Sequence, residues 1–256
     1  VTFDIAAAKE RCRRYRRRIL DISQQVSALH IASAYSCTEI VDCIYHGLMR
    51  PQETFILSKG HAGIMQYVVL EDLRVLNRSD LEAYCTRNGV LGTHPDYGNP
   101  GIAASTGSLG HGLGMAVGMA LANRSERVYV VLSDGELQEG STWEAILQAS
   151  SLRLNNLTVF VDNNDFQSLQ RTSVTHPSFY PLAAKFVAFD WGVVEVEDGH
   201  DSWALYKESK HGHLFRPFVV IAKTTKGKGV SFMENIPIWH YRSPNVEEYA
   251  KAIAEL

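Results

Sequence analysis

Two short apolar runs, VYVVL (Val128 to Leu132) and LTVFV (Leu157 to Val161), each stop at a polar turn, Ser133-Asp134-Gly135 after the first and Asp162-Asn163-Asn164 after the second. Uninterrupted β-branched runs of this length, bounded by turn residues, predict buried strands. Between them Trp143, Ile146, Leu147, Ser150 and Leu154 recur at helical spacing, which predicts a crossover helix and therefore two parallel strands. Both polar turns then fall on the carboxyl edge of one sheet, where open α/β sheets bind ligands. Upstream, Ser36 to Leu48 predicts a helix with Ile40, Val41, Ile44 and Leu48 inward, followed by FILSKGHA, a strand ending in a Gly-His turn. NVEEYAKAIAEL predicts a short terminal helix after His240.

The first helical segment crowds Lys9, Arg11, Arg13, Arg14, Arg16, Arg17 and Arg18 together, with Ala6, Ala7, Tyr15, Ile19 and Leu20 as its apolar positions. The cations read first as a solvated helix face; a basic arm for nucleic acid and a surface for an acidic partner are the other readings. Composition tilts against nucleic acid, since 45% of the residues are apolar, 21% are charged and the formal net charge is −3. No apolar run approaches the roughly 20 residues needed to span a bilayer, so no membrane is expected. Cys12, Cys37, Cys43 and Cys85 form no C-x-x-C pair, and they suit free packing thiols in a reducing cytoplasm. The opening VTFD has no Met, which suggests a trimmed first residue, and no signal peptide is read there. The 256 residues suffice for one well-buried α/β domain spanning 1–256 and are too few for three.

The two turns carry the candidate chemistry. Mg²⁺ prefers about six oxygens and usually takes one or two carboxylates plus phosphate and water. Asp134 can supply a carboxylate, Asn164 a side-chain carbonyl and Phe166 its backbone carbonyl. Gly135 lets backbone N–H approach a phosphate closely. Either dipeptide alone reads as a turn; in this strand–helix–strand setting the pair reads as a diphosphate–metal site. The glycine-rich TGSLGHGLGMAVGMA lets a helix begin tightly and pack against the sheet through Gly107, Gly110, Gly112, Gly114 and Gly118, and it is not a dinucleotide fingerprint.

An Asp-Gly followed about 30 residues later by Asn, Asp134 to Asn164, resembles the thiamine diphosphate motif of transketolases, 2-oxo acid dehydrogenases and decarboxylases. LSKGHA (Leu57 to Ala62), THPD (Thr93 to Asp96), PGIAASTGSLGHGLGMAVGMA (Pro100 to Ala120) and DGELQEG (Asp134 to Gly140) occur in the order found in transketolases and narrow the resemblance to that family. It runs from the His30 region through DGHD (Asp198 to Asp201) to KTTKGKGVSFMEN and His240. It implies a three-layer α/β fold with a mostly parallel sheet and helices on both faces, the diphosphate-binding domain, with thiamine diphosphate and Mg²⁺ or another divalent cation as cofactors. The implied metal ligands are Asp134, Asn164 and Phe166. Gly107, Ser108, Leu109, Asp134, Gly135, Glu136, Asn164, His61 and His240 are the implied cofactor contacts. His30, His61, His94 and His240 are the implied active-site imidazoles; His111, His176, His200, His211 and His213 read as surface or structural, and His46 as buried at best. Glu139 reads equally as an interface carboxylate or as a first-turn helix acid.

The chain resembles only the first of the family's three domains. It therefore reads as the N-terminal subunit of a split transketolase, active only with a C-terminal subunit that carries the pyrimidine-binding domain and its activating glutamate. A two-fold heterotetramer acting on sugar phosphates, with a two-carbon ketol unit moved from a ketose phosphate to an aldose, is the implied assembly and reaction. The α subunit of a 2-oxo acid dehydrogenase and a non-catalytic scaffold are the competing readings. Departures from the family pattern are Ser133 in place of a glycine, the glycine-poor ALHIASAYS around His30, and Tyr241 where a small residue is common. Asn163 competes with Asn164 as ligand, and the family spacing after Asp162 favours Asn164.

Overall fold

The computed structural model describes residues 3–27, 29–210, 212 and 214–256. Helices α1 (Ile5–Ser23), α2 (Ile31–Ser36) and α3 (Thr38–Cys43) lead into strand β1 (Thr54–Leu57). Helices α4 (Gly63–Asp72), α5 (Arg78–Glu82) and α6 (Gly112–Ala122) precede β2 (Val128–Ser133), and α7 (Gly140–Ser151) crosses over to β3 (Leu157–Asn163). A small hairpin, β4 (Phe166–Gln167) with β5 (Gln170–Arg171), is followed by α8 (Thr172–Thr175), α9 (Leu182–Ala188), β6 (Gly192–Val196), α10 (Ser202–Ser209), β7 (Phe218–Lys223) and α11 (Val246–Glu255).

The main sheet has the order β1-β2-β3-β7-β6, and its neighbouring pairs are all parallel. Alternation along the strands sends Tyr129, Val131, Phe160 and Val220 into a core shared with α1 to α4, α10 and α11. Val130, Leu132, Val159, Val161, Val219 and Ile221 face the other core, against α6, α7 and α9. Helices thus cover both faces, which is why β2 and β3 read as continuous apolar runs. In register, Ser133 lies beside Asp162 and Asp162 beside Ala222, so β2, β3 and β7 finish in line and release Asp134, Asn164 and Thr224 from the same edge.

Several expected packing positions are corrected. The segment from Ser36 to Leu48 is not one α-helix: α3 begins after a break at Cys37 and passes into a wider π turn over Ile44–Leu48, leaving Leu48 half-buried while Ile40, Val41 and Ile44 are buried. In α7 the inward face is Thr142, Ala145, Ile146 and Ala149, and Leu147 is exposed. Gly114 and Gly118 face open space rather than the sheet, whereas Gly112 packs so tightly that a Cβ there would lie 2.3 Å from Ser58 Oγ. In α1, capped by Asp4 accepting the Ala7 N–H at 3.0 Å, Ala8 turns inward instead of Ala6 and Ala7.

The basic segment is also more than a solvated face. Arg11 pairs with Asp42, Arg18 with Glu71, and Arg16 is buried against Glu39 at 2.6 Å. Acids on α3 and α4 supply what the local sequence could not reveal. Cys12, Cys37 and Cys43 are buried free thiols, whereas Cys85 is exposed. Among the described residues no helix is long and apolar enough to cross a membrane.

Candidate active site

A cavity of about 310 Å³ opens at the carboxyl edge of the sheet. Gly135, Asn164 and Phe166 line it together with His30, His61 and His240 and with Gly107, Leu109 and Glu139. Lys59, Lys226, Ser33, Ser133, Gln138, Gln167 and Ser168 complete the wall. The lining thus unites residues from the ends of β1, β2 and β3 with the loops before α2 and after β7.

Asp134 follows β2 directly and is fully buried. Its Oδ1 accepts the Gly135 N–H at 2.9 Å, and its Oδ2 accepts the Asp165 N–H at 2.6 Å and the Tyr180 hydroxyl at 3.2 Å. The two polar turns therefore meet through the Asp134 carboxylate. Burial, and then the neighbouring Asp162, push this carboxyl up to about 7. Asn164 holds its Oδ1 with the Phe166 N–H at 3.0 Å, and its amide donates to Ser36 at 2.9 Å and Asp162 at 3.3 Å. Asn163 instead accepts from Tyr180 at 3.4 Å; neither it nor Asp134 reaches the cavity surface, whereas Asn164 and Phe166 do. One carboxylate, one amide carbonyl and one backbone carbonyl form an all-oxygen donor set of the kind Mg²⁺ takes. The residues present fit a divalent cation beside a phosphate group.

Beneath this edge lies a buried ionic cluster. Lys59 pairs with Asp162 and donates to the Ser33 carbonyl at 3.1 Å, while Asp162 also accepts from Thr224 and from Ser36 at 2.6 Å. Burial alone would lower the Lys59 ammonium, but Asp162 more than reverses this and leaves it above the usual lysine value. Lys226 approaches His240 Nδ1 at 2.9 Å and donates to the Ser168 carbonyl at 3.3 Å. Burial, reinforced by Lys59, brings Lys226 down to about 7. An anion entering the cavity would restore its charge.

The imidazoles gather as neutral groups. The His30 ring lies 5.4 Å from His61 and 5.1 Å from His240, with His61 and His240 5.5 Å apart. Burial, with adjacent cations, lowers His30 to about 4, His240 to about 3, and His61 well below the usual range. His30 Nδ1 is buried without a hydrogen-bond partner, a group poised to meet a ligand hydroxyl. The Tyr241 ring stands 6.2 Å from His30 and 5.4 Å from His240, outside the cavity lining.

Other candidate residues sit at the margin. His94 is exposed, and its ring packs on Gly107, where a Cβ would come within 2.8 Å of the imidazole; Gly107 also takes a φ of +136°. Only glycine satisfies both demands easily. Ser108 is exposed and outside the lining. Glu136 points away from the cavity, accepting from Ser58 at 2.5 Å and from the Gly110 N–H at 2.9 Å, so its side chain ties the glycine loop to the Asp-Gly turn. Glu139 is exposed at the start of α7 and makes no side-chain cap. His111 and His176 are exposed, His46 is only half-buried, and His200 Nδ1 lies 2.8 Å from Glu39 Oε2 inside the fold. His211 and His213 lie outside the described residues.

Lys59, Lys226, Asp162, Ser33, Gln138 and Tyr180 belong to the site without standing out in the sequence. Lys59 and Lys226 lie within the LSKGHA and KTTKGKG segments, and a lysine two residues after a mostly buried four-residue strand is the signal that points to the first of them.

Comparison with known proteins gives concordant matches. Residues 20–248 match the family described as "Transketolase, thiamine diphosphate binding domain". The chain is 34% identical to a subunit of apulose-4-phosphate transketolase from Phocaeicola vulgatus, covering 94% of this chain and 90% of that protein. It is also 34% identical to the protein of the same name from Actinobacillus succinogenes, covering 97% and 95%. Among solved structures, transketolase from Leishmania mexicana superposes with a TM-score of 0.87 at 26% identity, covering 100% of this chain but 41% of that one. The chain therefore spans less than half of that longer enzyme and nearly all of the two subunits.

Proposed function

The chain belongs to the transketolase family as its thiamine diphosphate binding domain, and on that premise we propose that residues 1–256 form the cofactor-holding subunit of a split, two-carbon-transferring enzyme. The observation that carries this reading is the convergence on one cavity of Asn164, Phe166, two lysines and three neutral histidines, with the buried Asp134 carboxylate directly behind the wall, tied to it through the Gly135 and Asp165 N–H groups.

In this reading Asp134, Asn164 and the Phe166 carbonyl hold Mg²⁺, while Lys226 and the Gly135 backbone receive the diphosphate. Gly107 and Leu109 line the approach to the thiazolium. When bound, thiamine diphosphate supplies a nucleophilic carbon and an electron sink for breaking a ketose carbon–carbon bond. The chain's own contribution is placement and proton handling. His30, His61 and His240, kept neutral by burial, can each offer one N–H and one lone pair to sugar hydroxyl and carbonyl oxygens. His94 braces Gly107 at the rim, and Glu139 faces the side from which a neighbouring subunit would approach.

The relatives named as transketolase subunits support a partner chain, here a C-terminal subunit with the pyrimidine-binding domain, joined as a two-fold heterotetramer. Ketose phosphate donors and aldose acceptors, and a cytoplasmic setting suited to free thiols, complete the proposal. The test is to co-produce the chain with the adjacent gene's product and assay ketol transfer over a broad sugar panel. Transfer that needs both subunits, thiamine diphosphate and Mg²⁺ supports the reading; a folded pair that binds cofactor yet transfers nothing from any donor contradicts it.

A further inference from the structure

The loop that carries Lys226 is closed locally by the Lys228 N–H on the Thr225 carbonyl at 3.2 Å and the Asn235 N–H on the Lys226 carbonyl at 2.8 Å. It leaves β7 at Lys223, and Gly227 takes a φ of +83°. Further anchors come from distant parts of the chain. The Gly227 N–H reaches the Ala32 carbonyl at 3.0 Å, and the Thr225 N–H donates to His200 Nε2 at 2.8 Å. The other nitrogen of that ring, Nδ1, lies 2.8 Å from Glu39 Oε2. Glu39 in turn is gripped by Arg16 through two bonds of 2.6 and 2.7 Å. Arg16 and Glu39 are each only 6% exposed.

Donors and acceptors fix the ring's role. Because Thr225 N–H can only donate, His200 Nε2 must present a lone pair, so the ring proton sits on Nδ1 and points at the Glu39 carboxylate. Glu39, held by Arg16, orients the imidazole as carboxylates orient ligating histidines in metal sites. Thr225 adjoins Lys226, whose ammonium stands at the cavity wall 2.9 Å from His240 Nδ1. A chain of direct contacts thus runs from α1 through α3 to the lysine.

We propose that His200 is a positioning residue: braced by Glu39 and Arg16, it holds the Thr225 amide and thereby sets the Lys226 ammonium where the cofactor diphosphate is received. The inference rests on the reading of the cavity as a thiamine diphosphate site, and it assigns a task to a buried arginine and a histidine that line no part of that cavity.

Two variants separate the halves of the relay. His200→Gln places an amide oxygen near the Nε2 position and can still accept from Thr225, whereas His200→Asn keeps a donor toward Glu39 and loses the loop contact. Thiamine diphosphate is titrated with saturating Mg²⁺ into the full chain with its partner subunit, by calorimetry, and thermal midpoints are recorded for each variant. H200N is expected to weaken cofactor binding about tenfold or more, with H200Q within about twofold of wild type, although both lose thermal stability. Adding Lys226→Met to H200N should weaken binding little further, because both changes remove the same placed charge. Amide exchange over residues 222–230 should rise in H200N alone. Equal weakening by H200N and H200Q, wild-type binding in both, or a fully additive loss with Lys226→Met overturns the inference while leaving the cofactor site standing. A wild-type complex that does not bind thiamine diphosphate removes the site reading and this inference together.

Discussion

Replacing Lys59 with Met keeps much of the side chain's length and deletes its charge, stranding the Asp162 carboxylate in the interior. Neither partner is solvent-accessible: both residues are 0% exposed. Breaking a buried ion pair from one side typically destabilises by about 3–5 kcal/mol, because the remaining charge keeps its desolvation penalty. Asp162 retains donors from Thr224, Ser36 and Asn164, so the loss should fall near the lower end, about 3 kcal/mol. Asp162→Asn strands the ammonium instead, leaving the Ser33 carbonyl as an acceptor at 3.1 Å. The double variant removes both charges at once and should lose clearly less than the sum, with a coupling of about 2–3 kcal/mol. Urea unfolding of the four proteins at neutral pH measures the cycle. A Lys59→Met loss below about 1 kcal/mol, or additivity within about 0.5 kcal/mol, would refute the claim that this pair anchors the edge on which Asn164 sits.

Other outcomes follow from the same geometry. Asp134 is raised from 3.8 to about 7, so between those values the folded chain holds a proton that the unfolded chain has lost. Its contribution to stability is therefore full below about pH 4 and falls by up to about 4 kcal/mol as the pH rises to about 7. The difference between wild-type and Asp134→Ala urea midpoints across that range reads it, and a difference independent of pH would contradict the assignment. Gly107→Ala adds a Cβ 2.8 Å from the His94 ring at a φ of +136°, and should lower stability by about 1–3 kcal/mol, measurable as a drop in thermal midpoint. Lys226→Met should weaken thiamine diphosphate binding about tenfold or more without a comparable change in Mg²⁺ requirement. His61→Ala in the reconstituted pair should slow ketol transfer about a hundredfold or more while the chain stays folded.

The parts of this site that are legible in the sequence are those encoded by adjacent residues. Strand ends announce themselves by an apolar run meeting a turn, which is why Asp134, Asn164 and Phe166 can be placed on one edge without the fold. Asp162 meets both Lys59 and Ser36 across separations of more than a hundred residues, and no local pattern distinguishes a lysine bound for a buried ion pair from a solvated one. Arg16 shows the same limit: among crowded cations of a basic helix, only the position of Glu39 on α3 decides which one is buried. The segment from Ser36 to Leu48 departs from the single helix its periodicity predicts because a π turn changes the side-chain phase without changing the apolar composition. Leu147 and Gly118 face outward, against expectation, since hydrophobicity says that a side chain could be buried, not that a neighbour is present to bury it.

The most direct test of the account is a crystal structure of the chain with its partner subunit, thiamine diphosphate and Mg²⁺. The expected result is a metal about 2.0–2.1 Å from an Asp134 carboxylate oxygen, Asn164 Oδ1 and the Phe166 carbonyl, and in contact with the diphosphate. A diphosphate bound away from the β2 and β3 turns, or a metal held there without Asp134, would contradict it.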